Sequence, residues 1–170
     1  MFCILLDGML HRPGLKGRGQ ALKMFFFRLM FNLYPPYLGA GIRVKSISPD
    51  FRDIVVQMKR HWYTRNYVGT HFGGSLYSMT DPFYMLMVMK NLGREYIVWD
   101  KAASIEFLKP GRGKMVAHFQ VTEAQLKEIR ENTKDGQKYT PVWPIDVVDE
   151  HGEAVARIQK TLYIRKKRHH

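Results

Sequence analysis

The residues best suited to chemistry lie together in Asn66-Tyr67-Val68-Gly69-Thr70-His71-Phe72-Gly73-Gly74-Ser75-Leu76-Tyr77-Ser78-Met79-Thr80-Asp81. An asparagine and a glycine pair precede a helical run, and one carboxylate stands two turns inside it. The first turn of a helix presents backbone N–H groups without partners and a partial positive charge, so it receives anions and polarised carbonyls. Gly73 and Gly74 lack Cβ and let a ligand approach those amides closely. Asp81 follows Gly74 by seven residues, which in a continuous helix puts both on one face. Such a layout polarises a carbonyl and positions a water.

Each of these residues has a plainer reading beside the chemical one. Asp81-Pro82 is also what a helix start looks like, with Asp accepting at the N-cap and Pro at the first helical position. Pro82 inside a continuous helix would delete one hydrogen bond and clash with the carbonyl of Ser78. The roles are compatible, because a kink at Pro82 would open Asp81 to a cleft. His71 suits a general base or an orienting group, and equally a structural place beside a glycine loop. Asn66 suits a carbonyl or water contact, and equally a turn. Ser75 lacks the closing glycine of the G-x-S-x-G elbow, which argues against a serine hydrolase. With no H-E-x-x-H or comparable spacing, no metal and no cofactor are expected. His169-His170 reads as a fragment of a tag.

These residues need a scaffold, and 170 residues at 45% apolar content suffice for one domain with a sizeable core. The net charge of +12 gathers at the ends, where residues 1–28 carry five basic residues against Asp7, and Arg165 to Arg168 add four. Lys16 to Arg18 and Arg165 to Arg168 lack interleaved aromatics, so no nucleic-acid partner is expected. Cys3 is the single cysteine, which excludes a disulfide framework and fits a reducing cytoplasm. Residues 1–23 read as a flexible leader and 166–170 as a basic tail. Asp7 interrupts the first apolar run, which makes a poor signal peptide. Met24 to Phe31 is greasy but far shorter than the ~20 residues of a membrane span. It reads as a helix packed on the domain, with a membrane-surface helix as the alternative.

Further along, Ile42 to Ile47 reads as a strand, and Ile54, Val56 and Met58 alternate in a second. Ser75 to Leu92, apolar almost all round, predicts one buried helix closed by Gly93. Tyr96 to Leu108 predicts a long strand, and Met115 to Val121 alternates in another. Glu123 to Glu131 predicts a short charged helix. Val142 to Val148 and Ala154 to Ile164 follow as strands, joined by a hairpin at Asp149 to Gly152. A buried helix amid antiparallel strands is an α+β layer arrangement.

Asn66 to Asp81 resembles the signature of hotdog-fold acyl-CoA thioesterases of the phenylacetyl-CoA thioesterase type. That signature sets an Asn ahead of His-Gly-Gly, with an Asp seven residues after the second Gly. Asn66, Gly73, Gly74 and Asp81 fall on it without a gap. Phe72 stands where the signature has its histidine, His71 is displaced by one, and Pro82 replaces a small helix-compatible residue. Asn32 to Val44, Trp99-Asp100-Lys101 and Phe107-Leu108-Lys109-Pro110-Gly111 are similar to a hotdog branch classed as a domain of unknown function. The likeness spans residues 24–165.

The resemblance implies a single hotdog domain, a long antiparallel sheet around the central helix, with an extra N-terminal helix. It implies a homodimer or dimer of dimers, and hydrolysis of an acyl-CoA or acyl-carrier-protein thioester. Asp81, from the other subunit, would be the base, with a nucleophile as the alternative, the Gly73-Gly74 amides the oxyanion site, and Asn66 and His71 their helpers. Asp100 would place the water, or simply pair with Lys101. Lys109, Arg112 and Lys114 would meet the phosphates of CoA, or form a solvated turn. Met85, with Met79, Phe83, Tyr84, Met87 and Met89, would face the acyl chain, or pack the core. A non-catalytic acyl-CoA or acyl-carrier-protein binder is the other reading, and no integral membrane segment is expected.

Overall fold

The computed structural model describes residues 18–167. Helix α1 (Arg18–Asn32) and the short α2 (Pro35–Ala40) precede β1 (Ile42–Ile47) and β2 (Asp53–Lys59). Helices α3 (Gly73–Ser78) and α4 (Phe83–Leu92) follow. Next come β3 (Tyr96–Phe107), β4 (Lys114–Gln120) and α5 (Glu123–Thr133). The chain ends with β5 (Lys138–Tyr139), β6 (Val142–Val148) and β7 (Ala154–Lys166). The sheet runs in the order β1-β2-β4-β6-β7-β3, with β5 also on β7. Every pairing is antiparallel.

Period-two alternation puts Ile54, Val56 and Met58, then Met115, Ala117 and Phe119, on one fully covered face. That face needs an apolar partner, and α4 needs a sleeve. Phe83, Met87 and Val88 of α4 are wholly buried against it. Phe83 and Tyr84 each lie 5.1 Å from the Phe119 ring, centroid to centroid. The result is the single hotdog that the resemblance implied.

The central helix differs from the expected single run. It is broken between Ser78 and Phe83, because Pro82 has no N–H for the ladder and its ring would clash with the carbonyl of Ser78. Asp81-Pro82 is a cis peptide. Asp81 is no cap either: Pro82 holds the N-cap place of α4, with no side-chain bond there. The helix is therefore bent at the candidate carboxylate.

At the N-terminus, α1 begins at Arg18, inside the stretch expected to be a leader. The rest of that expected leader, residues 1–17, and the His169-His170 pair lie outside the described residues. Met24, Phe27 and Phe31 bury one face of α1, with Phe27 4.8 Å from Phe51. Leu22, Phe25, Phe26 and Leu29 leave the other face apolar and exposed. Asn32 ends the helix and closes the sheet edge: its Oδ1 accepts from Val44 N at 2.7 Å, and its Nδ2 donates to Val44 O at 3.3 Å. Removing it strands two backbone groups of β1. Asn32→Ala is expected to cost about 1–3 kcal/mol, read as a lower midpoint in urea unfolding.

Candidate functional site

The glycine loop is built by Asn66. Its Oδ1 accepts from Thr70 N at 2.9 Å, and its Nδ2 donates to Thr70 Oγ1 at 2.8 Å and to His71 O at 3.2 Å. Both amide hydrogens are spent on the loop, so the side chain shapes the entrance and does not offer a donor to a ligand. His71 is buried behind it. Its Nε2 lies 2.9 Å from the Gly113 carbonyl and donates to it, which leaves Nδ1 as an acceptor, buried and without a partner. Burial holds this imidazole below its ordinary pKa, against the Gly113 carbonyl and helped by the charge of Arg60. The neutral ring orients the loop.

Helix α3 starts behind that loop. Its first ladder bonds are those of Ser75 N and Leu76 N, both to Phe72 O, so the amides of Gly73 and Gly74 stand ahead of the ladder. A Cβ on Gly73 would lie 2.9 Å from Phe107 Cζ. Glycine is needed for that ring to rest on the helix start. Gly73, His71, Phe107 and Arg112 line a cavity of about 600 Å³.

Asp81 does not share it. Asp81 lines a second cavity of about 310 Å³ with Tyr37, Tyr77, Ser78 and Met85. The bend at Pro82 is the reason: the spacing that would align Gly74 and Asp81 holds only in an unbroken helix. Within one chain, Gly73 and Asp81 open into different cavities.

The carboxylate of Asp81 is half-exposed and anchored by a residue the sequence reading passed over, Lys160 of β7. Lys160 Nζ donates to Asp81 Oδ1 at 2.9 Å and lies 3.0 Å from Asp100 Oδ2. The lysine is wholly buried, while the Asp81 side chain keeps 47% of its exposure. Asp100 therefore pairs with Lys160 and not with its neighbour Lys101. It sits opposite Leu162 on β3, just before a bulge, which makes it a diagonal neighbour of Lys160. Neither of its buried oxygens has a well-angled hydrogen bond. Burial and contact with the Asp81 carboxyl push the Asp100 carboxyl up to about 6, against the pull of Lys160. Burial works against the ammonium of Lys160, yet the Asp81 bond and the Asp100 charge outweigh it and hold its pKa above the ordinary value. Tyr37, from α2, donates its OH to the backbone carbonyl of Asp81. A signal for Lys160 was present: Ala156, Ile158, Leu162 and Ile164 are all wholly buried on the same alternation, and a lysine in that row has to answer a charge.

The remaining candidates divide. Met85 is beside Asp81, whereas Met79 and Met87 are wholly buried core. Lys109 lines the larger cavity, but its ammonium is held by Asp149 at 2.8 Å and by Glu153, so it is not an open phosphate site. Arg112 lines the same cavity, and Lys114 starts β4 with its side chain exposed. Among the described residues, no group of three or more His, Cys, Asp or Glu is placed to hold a metal, and no helix is long and apolar enough to cross a membrane.

Comparison with solved structures finds the same fold repeatedly. A Pseudomonas aeruginosa protein of unknown function, described as a probable thioesterase, superposes with a TM-score of 0.73 at 14% identity, over 84% of this chain and 95% of that one. The Escherichia coli PaaI protein of the phenylacetic acid degradation operon gives 0.58 at 20%, over 85% and 92%. A Haemophilus influenzae thioesterase gives 0.62 at 15%, over 95% and 98%. No curated protein matches the sequence. A family model matches residues 23–164, and the chain belongs to that family, described as a domain of unknown function (DUF4442).

Proposed function

We propose that this protein hydrolyses an acyl thioester, carried by CoA or an acyl-carrier protein, at a site assembled from two copies of the chain. The observation that carries the reading is the half-exposed Asp81 carboxylate, gripped at one oxygen by buried Lys160 at the bend of the central helix. The separation of Gly73 and Asp81 into two cavities supports a second copy as the source of the missing half. So does β3, a twelve-residue strand at the end of the sheet order with most of its residues exposed. An unpaired edge of that length is a template for a second copy.

In this reading the thioester carbonyl oxygen accepts from the Gly74 N–H, and the helix start stabilises the oxyanion that forms. Asp81 of the other copy takes a proton from water as the oxygen attacks the carbonyl carbon. The tetrahedral intermediate collapses, the C–S bond breaks, and the departing sulfur takes the proton from Asp81 to leave as a thiol, which restores the base. Asn66 and His71 keep the loop in shape. Arg112 and Lys114 are the cations open to the phosphates of CoA.

The test is thiol release across a panel of acyl-CoA chain lengths, with light scattering on the same sample. Turnover of at least one chain length by a dimer or larger assembly is expected. Stabilisation by CoA without any thiol release would make the protein a binder, and a strict monomer at micromolar concentration would remove the shared site.

A further inference from the structure

Lys160 occupies an inward position of β7, between Ile158 and Leu162, all three wholly buried. Packing does not account for a lysine there. Replacing a buried ion pair by apolar side chains is often neutral or stabilising, so such a charge is weak evidence of a stabilising role. Its surroundings are more specific. Nζ meets Asp81 Oδ1 at 2.9 Å and Asp100 Oδ2 at 3.0 Å, and lies 5.4 Å from the centre of the Tyr77 ring. Three separate elements, the helix bend, β3 and β7, converge on one ammonium.

Two carboxylates this close cannot both stay ionised without a cation between them. Take the ammonium away and the pair shares a proton, which disarms whichever oxygen should act as base. The second clue is Asp100 itself, whose buried oxygens have, among the described residues, only the ammonium and the Asp81 carboxyl to answer them. The titratable groups that meet the cluster are Tyr37 from α2, Tyr77 from α3, Asp81, Asp100 and Lys160. Burial holds the Tyr37 phenol well above its ordinary pKa, so it enters as a neutral group.

We propose that Lys160 is the positioning residue of the Asp81 base: it holds Oδ1 and neutralises the Asp81–Asp100 pair, so that the other Asp81 oxygen stays ionised and open to water. Asp100 is the counter-anion that keeps the ammonium in place. The proposal rests on the hydrolase reading above for its consequence in catalysis, and on the geometry of the cluster alone for its consequence in titration.

Lys160→Met, Asp100→Asn and the double variant test it, each by two readouts. The first is the pH dependence of kcat and KM. Lys160→Met is expected to move the acid limb of kcat up by about one pH unit or more, with KM within about twofold. The double variant returns the limb toward wild type, because the neighbouring anion has gone with the cation. A Lys160→Met enzyme with an unmoved limb, or a double variant shifted further than the single, overturns the proposal. The second readout needs no substrate: the γ-carbon resonances of Asp81 and Asp100 in the intact protein, titrated by NMR. Both are expected to move upward in Lys160→Met, where the cation between the two carboxyls is gone. Shifted carbons in a protein that cleaves no thioester would retire the hydrolase reading and leave the Lys160 assignment standing. Unshifted carbons would remove the assignment whatever the activity. Lys160→Gln, which keeps a donor, is the replacement if the methionine variant does not fold; its limb is expected between those of wild type and Met.

Discussion

Asp81→Asn is expected to lower the turnover of every cleaved thioester by on the order of 10²–10⁴-fold, the range removed when a general base is lost. The substitution is nearly isosteric and keeps an oxygen that accepts from Lys160, so the anchoring bond survives. What disappears is the lone pair basic enough to take a proton from water. The fold should hold, because the side chain is half-exposed and caps no helix. Steady-state rates and thermal unfolding on one preparation separate the two effects. A folded variant with full activity would assign the base elsewhere.

Gly74→Pro is expected to cost about 10²–10³-fold in kcat, the loss associated with one oxyanion donor. Proline deletes a single hydrogen, the amide proton of Gly74. That proton serves no helix bond, because the ladder of α3 begins at Ser75 and Leu76. Proline is accepted in the first turn of a helix for the same reason. Its usual conflict with the preceding residue is eased because residue 73 has no Cβ. The added Cβ would lie 2.4 Å from Phe72 Cε1, and that ring is exposed and free to swing aside. Gly74→Ala, which keeps the amide, is the control. Equal losses in Pro and Ala variants would show that space at residue 74, and not its N–H, matters.

The sheet was legible in the sequence because alternation survives wherever one face is covered. Ile42–Ile47 and Val142–Val148 begin and end where their patterns do. The glycine loop was legible because it combines residue types that few other segments combine. The reading of the central helix failed at Pro82 for an identifiable reason. Apolar content on all sides is compatible with one helix or with two in line, and the local rule for proline was outweighed by the appeal of a shared face. Asn66 carried two equal readings, a ligand contact and a turn: its spacing from Gly73 is visible in the chain, but the three bonds that occupy its amide and favour the turn are a property of the loop. Lys109 was read as an open cation because Asp149 and Glu153, forty and forty-four residues on, reach it only through the β6–β7 hairpin. Lys160 was passed over because its meaning lies in the interruption of a pattern.

The claim underlying all of this is that a working site takes its amide from one chain and its carboxylate from another. Mixing Asp81→Asn chains with Gly74→Pro chains, after co-refolding or co-expression, tests it in a single rate measurement. Half of the randomly paired dimers would then hold one intact and one doubly altered site, so about a quarter of wild-type turnover is expected from two nearly inactive parents. A mixture no faster than the mean of its parents, in a sample shown to contain hybrid dimers, would place amide and carboxylate in the same chain and contradict the account.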